Sequence, residues 1–152
     1  MSAGQFNQID PNSKEPQQLI SSSYRSYNYD VIDGLTYKFD LTQPNKYDRE
    51  GKLVNPDASR VRDLAYQGKP IDLNQAFLVV TNNYRATGNF PGVKDAAEND
   101  LLNLENRQAI IDYIVSEKTI NPTADGNWSF VPNITNADIR FASSDNARAQ
   151  PC

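Results

Sequence analysis

The sequence contains no histidine, and only one cysteine, one methionine and one tryptophan, in 152 residues. Without histidine there is no imidazole base, no Ser-His-Asp triad and no zinc site of the usual nitrogen and sulfur type. A lone cysteine excludes an internal disulfide and any metal site built from a cysteine cluster. Excess positive charge is missing too. Nineteen acidic residues against 15 basic ones leave a net charge of -4, which argues against binding a nucleic-acid polymer through its phosphates. No apolar run approaches the roughly 20 residues a membrane-spanning helix needs, so no membrane partner is expected. Met1-Ser2-Ala3-Gly4-Gln5 has neither the basic nor the apolar region of a signal peptide.

What remains is the composition of a single loop-rich globular domain. Eight tyrosines and six phenylalanines sit among Val, Leu and Ile in short bursts, separated by Asn and by nine prolines. Such punctuation reads as short strands bounded by turns. Met1 to Phe6 read as the end of a helix. Leu35, Tyr37, Phe39 and Leu41 alternate with Thr36, Lys38, Asp40 and Thr42 after an Asp33-Gly34 turn, the pattern of a half-buried strand. Val61, Leu64 and Tyr66 suggest a second strand, ending at a Gln67-Gly68-Lys69-Pro70 turn. Ala76-Phe77-Leu78-Val79-Val80-Thr81 is continuously apolar, which predicts a central strand covered on both faces. A polar, glycine-punctuated loop, Asn82 to Gly92, follows it directly. Leu104 to Lys118 predicts a helix, with Asn103 as N-cap and Ile110, Tyr113, Ile114 and Glu117 on one face, Ile111 and Val115 beside them. Short strands are expected at Trp128 to Val131 and Asp138 to Phe141, and a flexible tail at 142–152. Strands and a few helices without a βαβ rhythm give an α+β fold with a mixed sheet and packed helices.

The candidate chemistry is sparse. Asp30 with Asp33, and Asp95 with Glu98 and Asp100, show no convergence into a paired-carboxylate site and read as solvated acids. An oxygen-ligand calcium site among Asp95, Glu98, Asn99 and Asp100 lacks EF-hand spacing. Gly88 and Gly92 do not make a phosphate cradle, because the lysine and the spaced glycines of the known cradles are missing. Asn127-Trp128-Ser129 and Asn133-Ile134-Thr135 are glycosylation sequons, read here as chance matches. Tyr24, Tyr27 and Tyr29 either stack a ligand, or Tyr27 and Tyr29 cover one face of an edge strand, which is the simpler reading. Tyr84 lies just past the apolar run, flanked by Asn83 and Arg85. It can present a π-face to a planar base, or it can simply be a loop aromatic.

Val79-Val80-Thr81-Asn82-Asn83-Tyr84-Arg85-Ala86-Thr87-Gly88 resembles the nucleoside-binding loop of the 5'-nucleotidase C-terminal domain family. Ser2 to Pro11, Tyr27 to Gly34 and Asp40 to Pro44 resemble the same family in the same order, from Ser2 to about Phe141. They narrow the resemblance to its bacterial periplasmic members, which act on 2',3'-cyclic nucleotides and 3'-nucleotides. The resemblance implies one partial nucleoside-recognition domain over 1–141, truncated at its N-terminal side. In the family an N-terminal metallophosphoesterase domain holds two divalent metal ions and activates water. No cofactor is then expected in this chain, and no catalytic residue. The family's C-terminal domain sandwiches the base between two aromatic rings. Tyr84 matches the second ring, and Arg85, Ala86, Thr87, Gly88, Asn89 and Phe90 continue the loop around base and ribose. Asn83 and Asp95 are further candidates. The first ring and the phosphate-holding arginines are expected upstream of Met1. Paired glycines and a ribose-binding acid are common after the aromatic, whereas Thr87-Gly88-Asn89-Phe90 stands here, so Asp95 or Asn89 is left for that role. Stacking on one ring supplies roughly 1–3 kcal/mol per base. With a few hydrogen bonds that implies a dissociation constant of about millimolar or weaker. The competing readings are a free-standing binding or structural module and, more remotely, a self-contained oxygen-ligand metal enzyme.

Overall fold

Pairing of the alternating segment Leu35–Phe39 organises the first half of the molecule. In the computed structural model, which describes residues 2–24, 29–88 and 90–142, the chain divides into two compact units. One is built from residues up to Gln75 together with those from Gly126 onward; the other is Ala76–Asp125.

In the first unit, a short helix α1 (Ser2–Gln5) precedes β1 (Gln17–Gln18), β2 (Leu35–Phe39), β3 (Val61–Tyr66) and β4 (Lys69–Pro70). The second unit carries α2 (Asn83–Thr87) and α3 (Asn106–Glu117). The chain then returns to the first unit with β5 (Trp128–Phe130), a 3-10 turn at Pro132–Ile134, and β6 (Ile139–Arg140). The main sheet runs β4-β3-β2-β5, and β1 pairs with β6 separately. β2 is antiparallel to β3 and parallel to β5, so the sheet is mixed. The fold is therefore α+β, a small mixed sheet with few helices.

The period of two in β2 delivers Tyr37 and Phe39, with Leu41 just beyond, to one buried face. They meet Phe6, Ile9 and Ile134, and β5 adds Trp128 and Phe130 from the neighbouring strand. The rings pack edge-on: Phe6 to Phe130 at 5.2 Å and 82°, and Tyr37 to Phe39 at 5.4 Å and 80°. The β3–β4 hairpin turns at Gln67 (φ 50°) and Gly68 (φ 74°), both left-handed as a two-residue hairpin turn requires.

Two polar groups tie segments to this core. The buried Arg60 donates through Nε to Gln43 O (2.7 Å) and through Nη1 to Phe6 O (2.8 Å). Burial brings its pKa down to about 10, so it remains charged at neutral pH. Asp40 accepts from Thr42 Oγ1 (2.6 Å), Thr42 N (3.1 Å) and Asn133 Nδ2 (3.3 Å). Burial alone would raise its pKa, but these hydrogen bonds and Arg62 outweigh burial and hold it below the usual carboxylate value.

The second unit departs from the sequence expectations. Ala76–Thr81 is not a strand: it is irregular, with Leu78 97% and Val80 84% exposed. A strand needs partners for its N–H and C=O groups, and among the described residues no strand pairs with this segment. Its apolar run signals burial on both faces without saying what covers it. The expected Asn82–Gly92 loop contains a helix, α2. The expected Leu104–Lys118 helix forms as α3, but Glu105, not Asn103, occupies the N-cap, without a side-chain capping bond. Lys118, at φ 61°, closes it through its N–H to Ile114 O (3.0 Å). Its apolar residues spread round much of the helix because Ile110-Ile111 and Ile114-Val115 are adjacent pairs about 100° apart, and all four are exposed. Strands Trp128–Phe130 and Ile139–Arg140 are shorter than expected. Most of the anticipated tail, 143–152, lies outside the described residues.

Candidate functional site

The geometry of the segment after the apolar run begins with Asn82. Its backbone is extended (φ -81°, ψ 160°) and its Oδ1 accepts from Arg85 N at 2.9 Å. That is an N-cap, and it converts the Asn82-Asn83-Tyr84-Arg85 sequence into the first turn of α2. Thr87 Oγ1 donates to Asn83 O (2.8 Å) at the other end. Gly88 then turns the backbone back to extended geometry (φ -76°, ψ 160°). A Cβ at Gly88 would strike the Phe90 ring and would lie 2.7 Å from Tyr84 O, so only glycine lets Phe90 fold back over α2.

That return builds an aromatic cluster. Tyr84 and Phe90 have ring centroids 5.8 Å apart, tilted by 60°. The Arg85 guanidinium carbon lies 4.6 Å from the Phe90 centroid and 5.5 Å from that of Tyr84. Arg85 is buried, 9% exposed, while Tyr84 is 63% exposed. Val93 N and Lys94 N both donate to Phe90 O (3.2 Å each), and Asn99 Nδ2 donates to Ala86 O (2.7 Å). The segment from Val93 to Asn99 is thereby folded back on α2. Between them lies an open cavity of about 360 Å³, lined by Thr87, Gly88, Val93, Lys94, Ala96 and Asn99 among others. Its size is in the range of small-molecule sites.

Of the residues singled out from sequence, Tyr84, Arg85 and Phe90 come together as one stack. Ala86, Thr87 and Gly88 line the adjoining cavity. Asn83 is exposed on α2, Asp95 is exposed beyond the Val93 turn, and Asn89 lies outside the described residues. Sequence reading missed the contributions of Asn82, Val93, Lys94 and Asn99. Asn82 was legible as a cap, since Asn before a helical turn is a common start signal. Nothing in the spacing pointed to the bond from Asn99 to Ala86.

The tyrosine cluster near residue 27 goes elsewhere. Tyr29 is not in a strand; it packs edge-on to Phe6 (5.5 Å, 87°) and lies 6.2 Å from Trp128. Burial, with a smaller contribution from Tyr37, pushes its phenol up to about 12. Tyr24 faces Gly4, and burial, then Asp48 and Glu50, raise its phenol as well. Tyr27 lies outside the described residues. The sequon amides are engaged internally, Asn127 Nδ2 with Ile32 O (2.7 Å) and Asn133 Nδ2 with Asp40 Oδ1 (3.3 Å). Among the described residues no three His, Cys, Asp or Glu side chains gather as a metal-holding group.

Comparison with known proteins agrees with the motif pattern. The chain belongs to the 5'-nucleotidase C-terminal domain family, whose match spans residues 7–95 and so includes α2 and the Phe90 turn. Among its relatives, the trifunctional nucleotide phosphoesterase protein YfkN of Bacillus subtilis is 51% identical over 95% of this chain, which is 10% of that protein. The 2',3'-cyclic-nucleotide 2'-phosphodiesterase/3'-nucleotidase of Haemophilus influenzae is 51% identical over 97% of this chain, 24% of its own length. The protein of the same name from Salmonella typhimurium is 46% identical over 97% of this chain. The chain thus spans about a tenth to a quarter of the length of these relatives. No solved structure matches it significantly.

Proposed function

We propose that this chain is the nucleoside-recognition part of a bacterial periplasmic metallophosphoesterase that hydrolyses 2',3'-cyclic nucleotides and 3'-nucleotides. The observation that carries the proposal is the exposed Tyr84 ring on α2, at the position that resembles the family's base-stacking loop. Two relatives named for that reaction, each at least 46% identical, support it. In this reading 1–141 is the recognition domain and 142–152 a tail. Tyr84 takes the base on its free π-surface. The cavity beside Thr87 and Gly88 receives the ribose, with Asn83, Asn89 and Asp95 near enough in sequence to supply hydrogen bonds. The partner is an N-terminal metallophosphoesterase domain of the same polypeptide, whose two divalent ions activate water; no residue of this chain is assigned to them.

The test is titration of the isotope-labelled chain with adenosine and 3'-AMP by NMR, alongside a hydrolysis assay with added divalent metal. The expected result is weak binding, about millimolar, with shifts confined to residues 83–95 and no turnover. Shifts clustered at residues 24–29, or clear release of phosphate by the purified chain, contradict the proposal.

A further inference from the structure

Arg85 is the one buried residue among the described residues of Ala76–Asp125, and it is a cation. A guanidinium withdrawn from water needs compensation, and here the faces of two aromatic rings provide part of it. Its neighbours define what it can reach. Its guanidinium carbon is 4.6 Å from the Phe90 centroid and 5.5 Å from that of Tyr84, so it bridges both rings. The backbone at either side is fixed, by the Asn82 cap on Arg85 N and by the Gly88 turn that admits Phe90. Tyr84 is left with most of its surface open.

We propose that Arg85 is a positioning residue: it fixes the orientation of the Tyr84 ring from behind, through Phe90, and does not itself touch the nucleotide. The inference rests on the nucleoside-binding reading above and deepens it. The resemblance alone would put Arg85 in the loop that wraps base and ribose, and an arginine near a nucleotide invites assignment to the phosphate. The packing argues for a different division of labour. A preorganised ring binds without first losing its own rotamer freedom, so a bracing cation strengthens stacking while lying away from the ligand. Lysine cannot substitute fully, because a point charge lacks the planar surface that spans two rings.

The experiment compares the chain with its Arg85→Met, Arg85→Lys and Tyr84→Ala variants. Neutral adenosine and charged 3'-AMP are titrated into each, with affinity read from the initial slope of NMR shift changes. The Tyr84 ring signals are recorded without ligand. The expected result is that Arg85→Met weakens both ligands by the same factor, about fivefold for a brace of cation–π strength. Its Tyr84 ring signals move while the α2 amide signals persist, and Arg85→Lys recovers only part of the affinity. A loss seen with 3'-AMP but not adenosine means a direct phosphate contact and overturns the inference. So does an unchanged affinity in Arg85→Met, or the disappearance of α2 signals in both Arg85 variants, which would make Arg85 a fold residue only. If Tyr84→Ala binds both ligands as well as the parent chain, the nucleoside-site reading itself fails, and this inference with it.

Discussion

The two units bury opposite kinds of side chain. The sheet unit encloses Phe6, Ile9, Phe39 and Leu41, with tryptophan and phenylalanine packed against them. Among the described residues of Ala76–Asp125, the buried side chain is Arg85, wrapped by rings, while Leu78, Val80 and the isoleucines of α3 face outward. The difference separates two uses of aromatic residues. In the sheet unit, rings meet rings in edge-on and tilted pairs, at 82° for Phe6 with Phe130 and 45° for Phe6 with Trp128, and exclude water, which stabilises the fold. In the second unit, rings meet a cation and leave one of their number, Tyr84, exposed, the surface that the proposed nucleoside reading uses.

Four substitutions probe that contrast. The largest effect is expected from Leu41→Ala. Leu41 is fully buried, so its truncation should cost about 2–5 kcal/mol in chemical denaturation of the sheet unit. Gly88→Ala should act on the other unit. Its new methyl group would collide with Phe90 and the Tyr84 carbonyl, and relieving that costs about 1–3 kcal/mol, read as weaker adenosine binding. The denaturation midpoint of the sheet unit should stay where it is; a large fall would mean that the two units are not energetically distinct.

Acid should act through Asp40. Its folded pKa is depressed, so its contribution to stability is fully present above the ordinary carboxylate pKa of about 3.9. That contribution is lost as pH falls through the lower, folded value. Asp40→Asn should therefore be less stable than the parent chain at neutral pH and should lose less stability on acidification. Equal acid slopes for the two, measured by denaturation from pH 6 down to about pH 2, would show that the Thr42, Asn133 and Arg62 contacts are not made in solution. The smallest effect belongs to Leu78→Ser. A side chain this exposed should change stability by no more than about 0.5 kcal/mol. A loss several times larger would mean that the apolar run is covered in solution.

The sheet unit was legible in the sequence because its signals are local. Alternation at Leu35 to Leu41 fixed a face, and Asp33-Gly34 and Gln67-Gly68 fixed turns, with Gly34 at φ 80°. The parallel pairing of Tyr37 with Trp128 was not legible, since no short-range pattern encodes a partner 91 residues away. The run Phe77 to Val80 misled for the same reason: hydrophobicity announces burial, whereas strand formation depends on a neighbouring backbone. At the candidate site, Tyr84, Gly88 and Phe90 were readable from the motif. The inward turn of Arg85 was not, because a charged residue in a polar loop reads as solvated until its two ring neighbours are seen.

The division of labour between two tyrosines tests the account most directly: adenosine titration of Tyr84→Ala and Tyr29→Ala side by side, at a temperature where both remain folded. Tyr84 is exposed in the second unit, and Tyr29 is packed against Phe6 in the sheet unit. The account predicts that Tyr84→Ala loses the ligand-induced shifts at residues 83–95, while Tyr29→Ala keeps them. Binding that survives in Tyr84→Ala and disappears in Tyr29→Ala would contradict it.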